Sequence, residues 1–172
     1  DGQRLLSASS DGLIRIHGLQ SRRSLKEFRG HESHVNSAMY GHDEKTILST
    51  SDDGTVRVWD VPSADCIGKE RIALTASASI ASTLSVLDVI SLPQNPEQYL
   101  IVTHSPVCFI VLSNAKVIRK FSIASSSLSI EGEGEGDDIV CACISRRGQL
   151  LYVADVTHHI SVVEGFVDGQ NK

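Results

Sequence analysis

The sequence contains few cysteines, few aromatic residues and no long apolar run. Only four of its 172 residues are cysteine, and Phe, Trp and Tyr together make up 5%. No stretch reaches the roughly 18 consecutive apolar residues of a transmembrane helix, so no membrane span is predicted. Four cysteines are too few for a disulfide framework in a chain of this size. Apolar residues still make up 41%, which is enough for a packed core.

Cys141 and Cys143 are the two cysteines closest to a metal-binding pattern. One residue separates them in an apolar stretch that is predicted to be a strand, where both would share one face. Zinc-binding cysteines usually have about two to four residues between them and need a second ligand pair, which the sequence lacks. We therefore predict buried, reduced thiols, which fit the cytosol or the nucleus.

Positive charge is not concentrated enough in the sequence to indicate a nucleic-acid surface. The net charge is −5, and residues 131–138 supply five negative charges within eight residues. Three basic pairs are predicted to be solvated in or near turns, namely Arg22–Arg23, Arg119–Lys120 and Arg146–Arg147. No aromatic residues are interleaved with them for base stacking. No direct nucleic-acid binding is therefore predicted.

Two segments are predicted to be flexible loops. Residues 75–83 are small and polar without helical periodicity. Residues 124–138 include alternating Glu and Gly, which disfavours helix and strand alike. The acidic segment lacks the ligand spacing and flanking helices of an EF-hand calcium site. We expect it to serve solubility or to meet a basic partner.

Residues 47–60, ILSTSDDGTVRVWD, carry the strongest structural signal. Two β-rich runs flank an Asp-Gly dipeptide, which predicts a hairpin. Residues 5–17 repeat this pattern 42 residues earlier, with six of thirteen positions identical. Gly30 and His31 precede the hairpin and Trp59-Asp60 end it. A Gly-His start, a hairpin and a Trp-Asp end resemble one blade of a WD-repeat propeller.

The predicted fold is therefore an all-β WD-repeat β-propeller, of which this chain holds about four blades. Its predicted units are a part-blade at 1–29, a blade at 30–74, and degenerate blades at 84–123 and 139–172. The chain begins at Asp1 in mid-pattern, so we expect it to be a piece of a longer protein. Propellers close with roughly four to eight blades, and the remaining blades are expected elsewhere in that protein.

Four polar residues are predicted to form a buried structural tetrad: His31, Ser49, Asp53 and Trp59. In WD repeats these residue types link indole, hydroxyl, imidazole and carboxylate by hydrogen bonds. A Ser-His-Asp hydrolase is the alternative, but its serine must be exposed beside an oxyanion site. The first repeat keeps Ser7 and Asp11 as a partial tetrad. His17 replaces the tryptophan there, and we expect that it cannot copy the indole geometry.

The remaining polar residues are predicted to have structural roles rather than to form a binding site. Arg15 and Arg57 occupy equivalent strand positions and are expected to be solvated or paired locally; a repeated acid-binding row is the alternative. His158–His159 follows Asp155 and is predicted to be a polar turn, because a metal site needs a third ligand and open geometry. The two degenerate blades should depend on apolar packing alone. We predict no catalytic residue, metal site or cofactor.

Three further stretches resemble the C-terminal propeller of the Smu-type pre-mRNA splicing factors. They are LPQNPEQYLIV (92–102), KVIRKFS (116–122) and DDIVCACISRRGQLLYV (137–153), all in blades where a generic WD signal is weak. The resemblance implies a nuclear protein of the spliceosome that acts around activation and partners with the RED protein. It also implies a seven-bladed propeller and an N-terminal dimerising region, and none of that N-terminal region is in this chain.

The expected function is a protein-interaction scaffold in pre-mRNA splicing, with partner-binding residues unknown. The alternative is a substrate receptor of a cullin-type ubiquitin ligase. Such receptors often carry a basic residue two places after Trp-Asp, and Pro62 stands at that position. An enzyme is disfavoured because the polar residues belong to turns and to the tetrad rather than to a convergent pocket.

Overall fold

The computed structural model describes residues 2–73, 84–123 and 138–164, and these form four antiparallel sheets. The first sheet contains β1 (Arg4–Ala8), β2 (Ile14–Gly18) and β3 (Arg23–Phe28). The second contains β4 (Val35–Tyr40), β5 (Thr46–Ser51), β6 (Thr55–Asp60) and β7 (Cys66–Arg71). The third contains β8 (Val86–Leu92), β9 (Asn95–Thr103), β10 (Val107–Leu112) and β11 (Val117–Ser122). The fourth contains β12 (Ile139–Ile144), β13 (Leu150–Asp155) and β14 (Ile160–Glu164).

Each sheet is a meander in which every strand pairs with its neighbour in sequence. The first strand therefore lies at one edge, and in sheets 1 to 3 the last described strand lies at the other edge. Four successive meanders of this kind are the architecture of adjacent propeller blades. The predicted all-β propeller fold is confirmed.

Three apolar clusters join the four sheets face to face. Sheets 1 and 2 share a cluster that includes Phe28 and Trp59, and sheets 2 and 3 share one that includes Leu48 and Tyr99. A third cluster, which includes Phe121, joins sheets 3 and 4. Successive residues of a strand point to opposite faces. Ile47 accordingly packs toward sheet 1 while Leu48 packs toward sheet 3.

Strand β9 begins earlier than the sequence indicates. Residues 93–98 contain two prolines, a composition typical of a turn, but the strand starts at Asn95. The pairing of β8 with β9 is irregular between Ser91 and Leu92, which leaves Pro96 outside the ladder. Proline has no N–H to donate, so such an irregularity is where a strand accepts it.

The prediction of buried thiols is wrong for Cys141 and Cys143. Both lie on one face of β12, as expected, but that face is exposed. The pairing with β13 skips Val140, and the residues that pack toward sheet 3 are then Ala142 and Ile144. Cys108 is buried in the cluster between sheets 3 and 4, and burial raises the pKa of its thiol to about 12.

Several sequence predictions lie outside the described residues. They are the flexible loop at 75–83, all but the last residue of the loop at 124–138, and the last part of the degenerate blade, residues 165–172. In the described ranges, no helix is long and apolar enough to cross a membrane.

Glycines in the two Asp-Gly turns adopt a left-handed backbone conformation. The φ angle is 80° at Gly12 and 74° at Gly54. A Cβ atom at Gly12 would also lie 3.1 Å from the carbonyl oxygen of His31. The turn of sheet 1 therefore touches the segment that carries the tetrad histidine, and only glycine fits there without strain.

We expect Gly12→Ala to destabilise the full-length protein by about 1–2 kcal/mol, the cost of placing an L-residue in the left-handed region. Urea unfolding followed by circular dichroism measures the change. Ser10→Ala, in the same exposed turn, is the matched control and should stay within about 0.5 kcal/mol of the parent. Equal effects of the two substitutions would contradict the turn assignment.

Candidate functional site

Three separate elements bring the predicted tetrad together. Ser49 lies on β5 and Trp59 on β6, and Asp53 lies in the turn between these strands. His31 lies in the segment that links sheet 1 to sheet 2. The hairpin alone therefore cannot form the cluster, because the histidine comes from the connection between sheets.

The four side chains form one continuous chain of hydrogen bonds. Trp59 Nε1 donates to Ser49 Oγ at 2.8 Å, and Ser49 Oγ lies 2.7 Å from His31 Nε2. His31 Nδ1 lies 2.8 Å from Asp53 Oδ2. An ionised carboxylate only accepts, so Nδ1 carries the proton and Nε2 accepts from the serine hydroxyl. Every donor in the chain then has an acceptor.

The hydrogen-bond chain is shielded from water by apolar and aromatic contacts. Trp59 and Ser49 are fully buried, and His31 is nearly so. The Trp59 ring meets the edges of Phe28 at 6.0 Å and of His31 at 5.9 Å between centroids. Buried polar groups are costly unless they are paired. The cluster is thus stable only as a complete set.

Asp53 is held in its ionised form. Burial alone would raise the pKa of its carboxyl group, but hydrogen bonds from His31, Thr55 and the Glu32 N–H outweigh that effect and hold the pKa far below its usual range. Arg57 Nη2 lies 3.6 Å from the same carboxylate. The ionised carboxylate of this turn therefore places a fixed negative charge at the end of the hydrogen-bond chain.

The geometry does not suit nucleophilic catalysis. The Ser49 hydroxyl is engaged by both His31 and Trp59 and has no exposed surface. A serine nucleophile must reach a substrate carbonyl beside oxyanion donors. These hydrogen bonds can hold the two strands, the turn between them and the linking segment in fixed relative positions. We propose that this structural role is the function of the tetrad.

The partial tetrad in sheet 1 differs from expectation. His17 Nε2 lies 2.9 Å from Ser7 Oγ, the same partner that the tryptophan has in sheet 2. The expectation that His17 cannot replace the indole is wrong for this hydrogen bond, because imidazole also carries a ring nitrogen that can meet the hydroxyl. Asp11 instead pairs with Arg15 at 2.7 Å, which lowers the pKa of its carboxyl group to about 2.

The two equivalent arginines are paired within their own sheets. Arg15 contacts Asp11 and Glu27, while Arg57 lies near Asp53 and 6.0 Å from the centre of the Trp59 ring. In both sheets the arginine lies four residues after the aspartate of the turn that precedes its strand. These contacts support local pairing rather than an acid-binding row.

Sheets 3 and 4 have apolar residues where sheet 2 has the serine and the tryptophan. Strand pairing places Ile101 and Val111 at those positions in sheet 3, and Val153 and Val163 in sheet 4. All but Val163 are buried. Apolar packing replaces the hydrogen-bond chain at these equivalent positions.

A polar junction between sheets 2 and 3 has no clear signal in the sequence. Asp52 accepts from Asn36 Nδ2 at 2.7 Å and from Ser85 Oγ at 2.5 Å, and Asn36 also donates to the Val86 carbonyl at 2.8 Å. His34 lies 3.7 Å from the same carboxylate. Ser85 and Asp52 are 33 residues apart and Asn36 and Val86 are 50 apart, so only the fold brings these partners together.

No group of three or more potential metal ligands is found within 2–73, 84–123 and 138–164. The His158–His159 pair lies in the turn between β13 and β14. There the Asp155 carboxylate accepts from the backbone N–H groups of Thr157 and His159. The aspartate acts as a turn-stabilising acceptor in this arrangement.

We expect Trp59→Ala to lower the free energy of unfolding by about 3–5 kcal/mol, since it removes a large buried side chain. Denaturant unfolding of the full-length protein measures this loss. Trp59→Phe should cost less, because it keeps most of the ring volume and removes only the N–H donor. A loss below about 1 kcal/mol for Trp59→Ala would contradict the blade assignment.

We also expect Asp53 to contribute to acid unfolding. Its pKa is lower in the folded state than in the unfolded state, so its stabilising effect is fully present above about pH 4 and is lost as the pH falls toward the folded pKa. Asp53→Asn removes this titration. The two unfolding free energies should therefore converge between about pH 4 and pH 2; parallel curves would rule out the contribution.

Comparison with known proteins supports the geometric assignment. Residues 22–60 match the family model of the WD domain, G-beta repeat. The chain is 33% identical over 101 residues to the WD40 repeat-containing protein smu1 of Dictyostelium discoideum. The matched region covers 59% of this chain and 18% of that protein. The resemblance inferred from the sequence is confirmed by this match.

Two other relatives are named for RNA-related roles. The U3 small nucleolar RNA-associated protein 15 homolog of Xenopus laevis is 21% identical over 94% of the chain and 36% of its own length. Pre-mRNA-processing factor 19 of Bos taurus is 28% identical over 39% of the chain and 13% of its own length. The matched regions thus cover between 13% and 36% of the length of these two relatives. Residues 22–60 match a WD40 repeat, and the four described sheets form part of a β-propeller.

Proposed function

We propose that this chain is part of a protein-interaction scaffold in pre-mRNA splicing. The observation that carries the proposal is its 33% identity over 101 residues to a protein named smu1, together with its similarity to a pre-mRNA-processing factor. Two of the three relatives carry RNA-related names, namely the pre-mRNA-processing factor and the U3 small nucleolar RNA-associated homolog, which supports a role in RNA processing. Splicing is the more specific part of the proposal.

The chemistry of the described residues supports a scaffold. The buried polar side chains His31, Ser49 and Arg57 are partnered within the fold. These hydrogen bonds and ion pairs stabilise the sheets and their junctions. A scaffold of this kind acts through its exposed turns and outer strands.

The proposed setting is the nucleus, with other spliceosomal proteins as partners, including the RED protein, around spliceosome activation. Oligomerisation, if it occurs, is assigned to a region outside this chain. No direct contact with nucleic acid is proposed.

The first experiment is an affinity purification of the full-length protein from nuclear extract, followed by mass spectrometry. Recovery of RED and activation-stage spliceosomal proteins is the expected result. The Trp59→Ala variant, whose blade should be destabilised, serves as the control for partners that bind through the propeller.

Other recovered proteins would contradict the proposal in distinct ways. Cullin-ligase adaptors without splicing proteins would favour a substrate receptor, although Pro62 stands where such receptors often have a basic residue. Nucleolar proteins without spliceosomal ones would favour a role like that named for the U3-associated relative.

A further inference from the structure

The outer strands of sheets 1, 2 and 3 share an irregularity at equivalent positions. In sheet 1, Ile16 pairs with Lys26 and His17 with Ser24, so Leu25 is skipped. In sheet 2 the pairing passes from Gly68 to Cys66 and skips Ile67. In sheet 3 it passes from Arg119 to Val117 and skips Ile118. Each skipped residue forms a one-residue β-bulge on an edge strand.

Each of the three bulges carries an exposed aliphatic side chain. Leu25 is 51% exposed, Ile67 is 60% exposed and Ile118 is 45% exposed. A single exposed leucine or isoleucine is ordinary on a protein surface. A large aliphatic residue at the same bulge in three successive sheets is a repeated surface feature, which we call the outer-strand row (Leu25, Ile67 and Ile118).

Positive charge is concentrated in the three segments that carry the outer-strand row. Residues 22–28, 66–71 and 116–122 hold eight of the chain's 16 Lys and Arg residues and two of its 21 acidic residues. Their net charge is +6, whereas the whole chain has −5. The sequence predicts dispersed, solvated basic pairs, but Arg119 and Lys120 lie within β11. Each outer-strand segment therefore carries both an exposed aliphatic residue and an excess of cations.

Two of the strand cations are held against aromatic rings beside the row. Arg119 lies 6.0 Å from the centre of the Phe121 ring, and Lys120 lies 6.0 Å from that of Phe109. Both phenylalanines are buried. The outer strands thus offer aliphatic side chains and cations, but their aromatic faces are not open for stacking bases. This combination favours a protein over a single-stranded nucleic acid.

The bulges also bear on how a partner can bind. An edge strand can in general pair with an added strand through its backbone, but a bulge interrupts the regular row of donors and acceptors. Lys26 connects the edge to the next sheet by donating to the carbonyl oxygens of Val61 and Pro62. Recognition by side chains is therefore favoured over strand addition.

We propose that the outer-strand row is a docking surface for an acidic segment of another protein that carries aliphatic side chains. Carboxylates of the segment pair with the Lys and Arg side chains of the outer strands, and its aliphatic residues cover Leu25, Ile67 and Ile118. The inference rests on the scaffold role proposed above but does not depend on splicing.

The test is a selection of binders from an unbiased library of displayed random peptides of about 15 residues, with the purified full-length protein as bait. Enriched peptides should combine Asp or Glu with Leu, Ile or Val. A triple variant with Leu25→Ser, Ile67→Ser and Ile118→Ser should weaken their binding at least about tenfold, because aliphatic burial is lost at three positions. Higher salt should weaken binding to the parent protein as well.

Val156→Ser is the matched control, because Val156 is a similarly exposed aliphatic residue in the turn between β13 and β14. It should leave peptide binding unchanged. Thermal unfolding of both variants checks that the fold is retained. If the triple variant is destabilised, Arg23→Gln with Lys69→Gln and Lys116→Gln provides an independent version of the test and should also weaken binding.

Several results would overturn the proposal. They are a selection without enrichment, enrichment of basic or neutral peptides, and acidic peptides that bind the triple variant as tightly as the parent. Displacement of the peptides by oligouridylate, with tight oligouridylate binding to the parent, would identify RNA as the occupant. Tight, row-dependent binding of a synthetic peptide of residues 126–138, with no other acidic sequence selected, would identify the chain's own acidic segment. Because the selection uses no spliceosomal component, its failure leaves the proposed function to its own test.

Discussion

The hydrogen-bond chain from Trp59 through Ser49 and His31 to Asp53 is the interaction on which the second sheet and its junction depend. It joins two strands, the turn between them and the segment that arrives from sheet 1. Each member is buried or nearly so, and each therefore needs its neighbours to satisfy its polar atoms. The hydrogen-bond chain fixes the position at which the second sheet begins relative to the first. The apolar cluster around Trp59 and Phe28 packs against these bonded residues.

The other junctions use different chemistry for the same task. Sheets 2 and 3 share an apolar cluster and the polar junction at Asp52, while sheets 3 and 4 are joined by apolar contacts such as those of Phe121 and Leu151. In sheets 3 and 4, branched aliphatic residues occupy the positions equivalent to Ser49 and Trp59 of sheet 2. A blade can form with either solution, because the polar groups of Ser49 and Trp59 are paired in sheet 2 and the equivalent positions in sheets 3 and 4 carry no polar side-chain atoms.

Much of the fold was predictable from local pattern. The Asp53-Gly54 turn lies between β5 and β6, where turn chemistry places the hairpin. The errors have physical causes that the linear sequence does not reveal. His17 was expected to fail as a tryptophan substitute, but the hydrogen bond needs only a ring nitrogen at the right distance from Ser7. The thiols of Cys141 and Cys143 were expected to be buried, but the register of β12 turns them to the exposed face.

Residue type and spacing by themselves determined that this protein is built of hairpins in WD-type repeats, because alternation, Asp-Gly turns and the Trp-Asp ending act over a few residues. They also determined which four side chains form the tetrad in sheet 2. The tertiary structure decided which surfaces those hairpins expose. Strand register sets the face of every side chain, and a bulge of one residue is enough to turn Leu25, Ile67 and Ile118 outward among cations that lie far apart in the sequence.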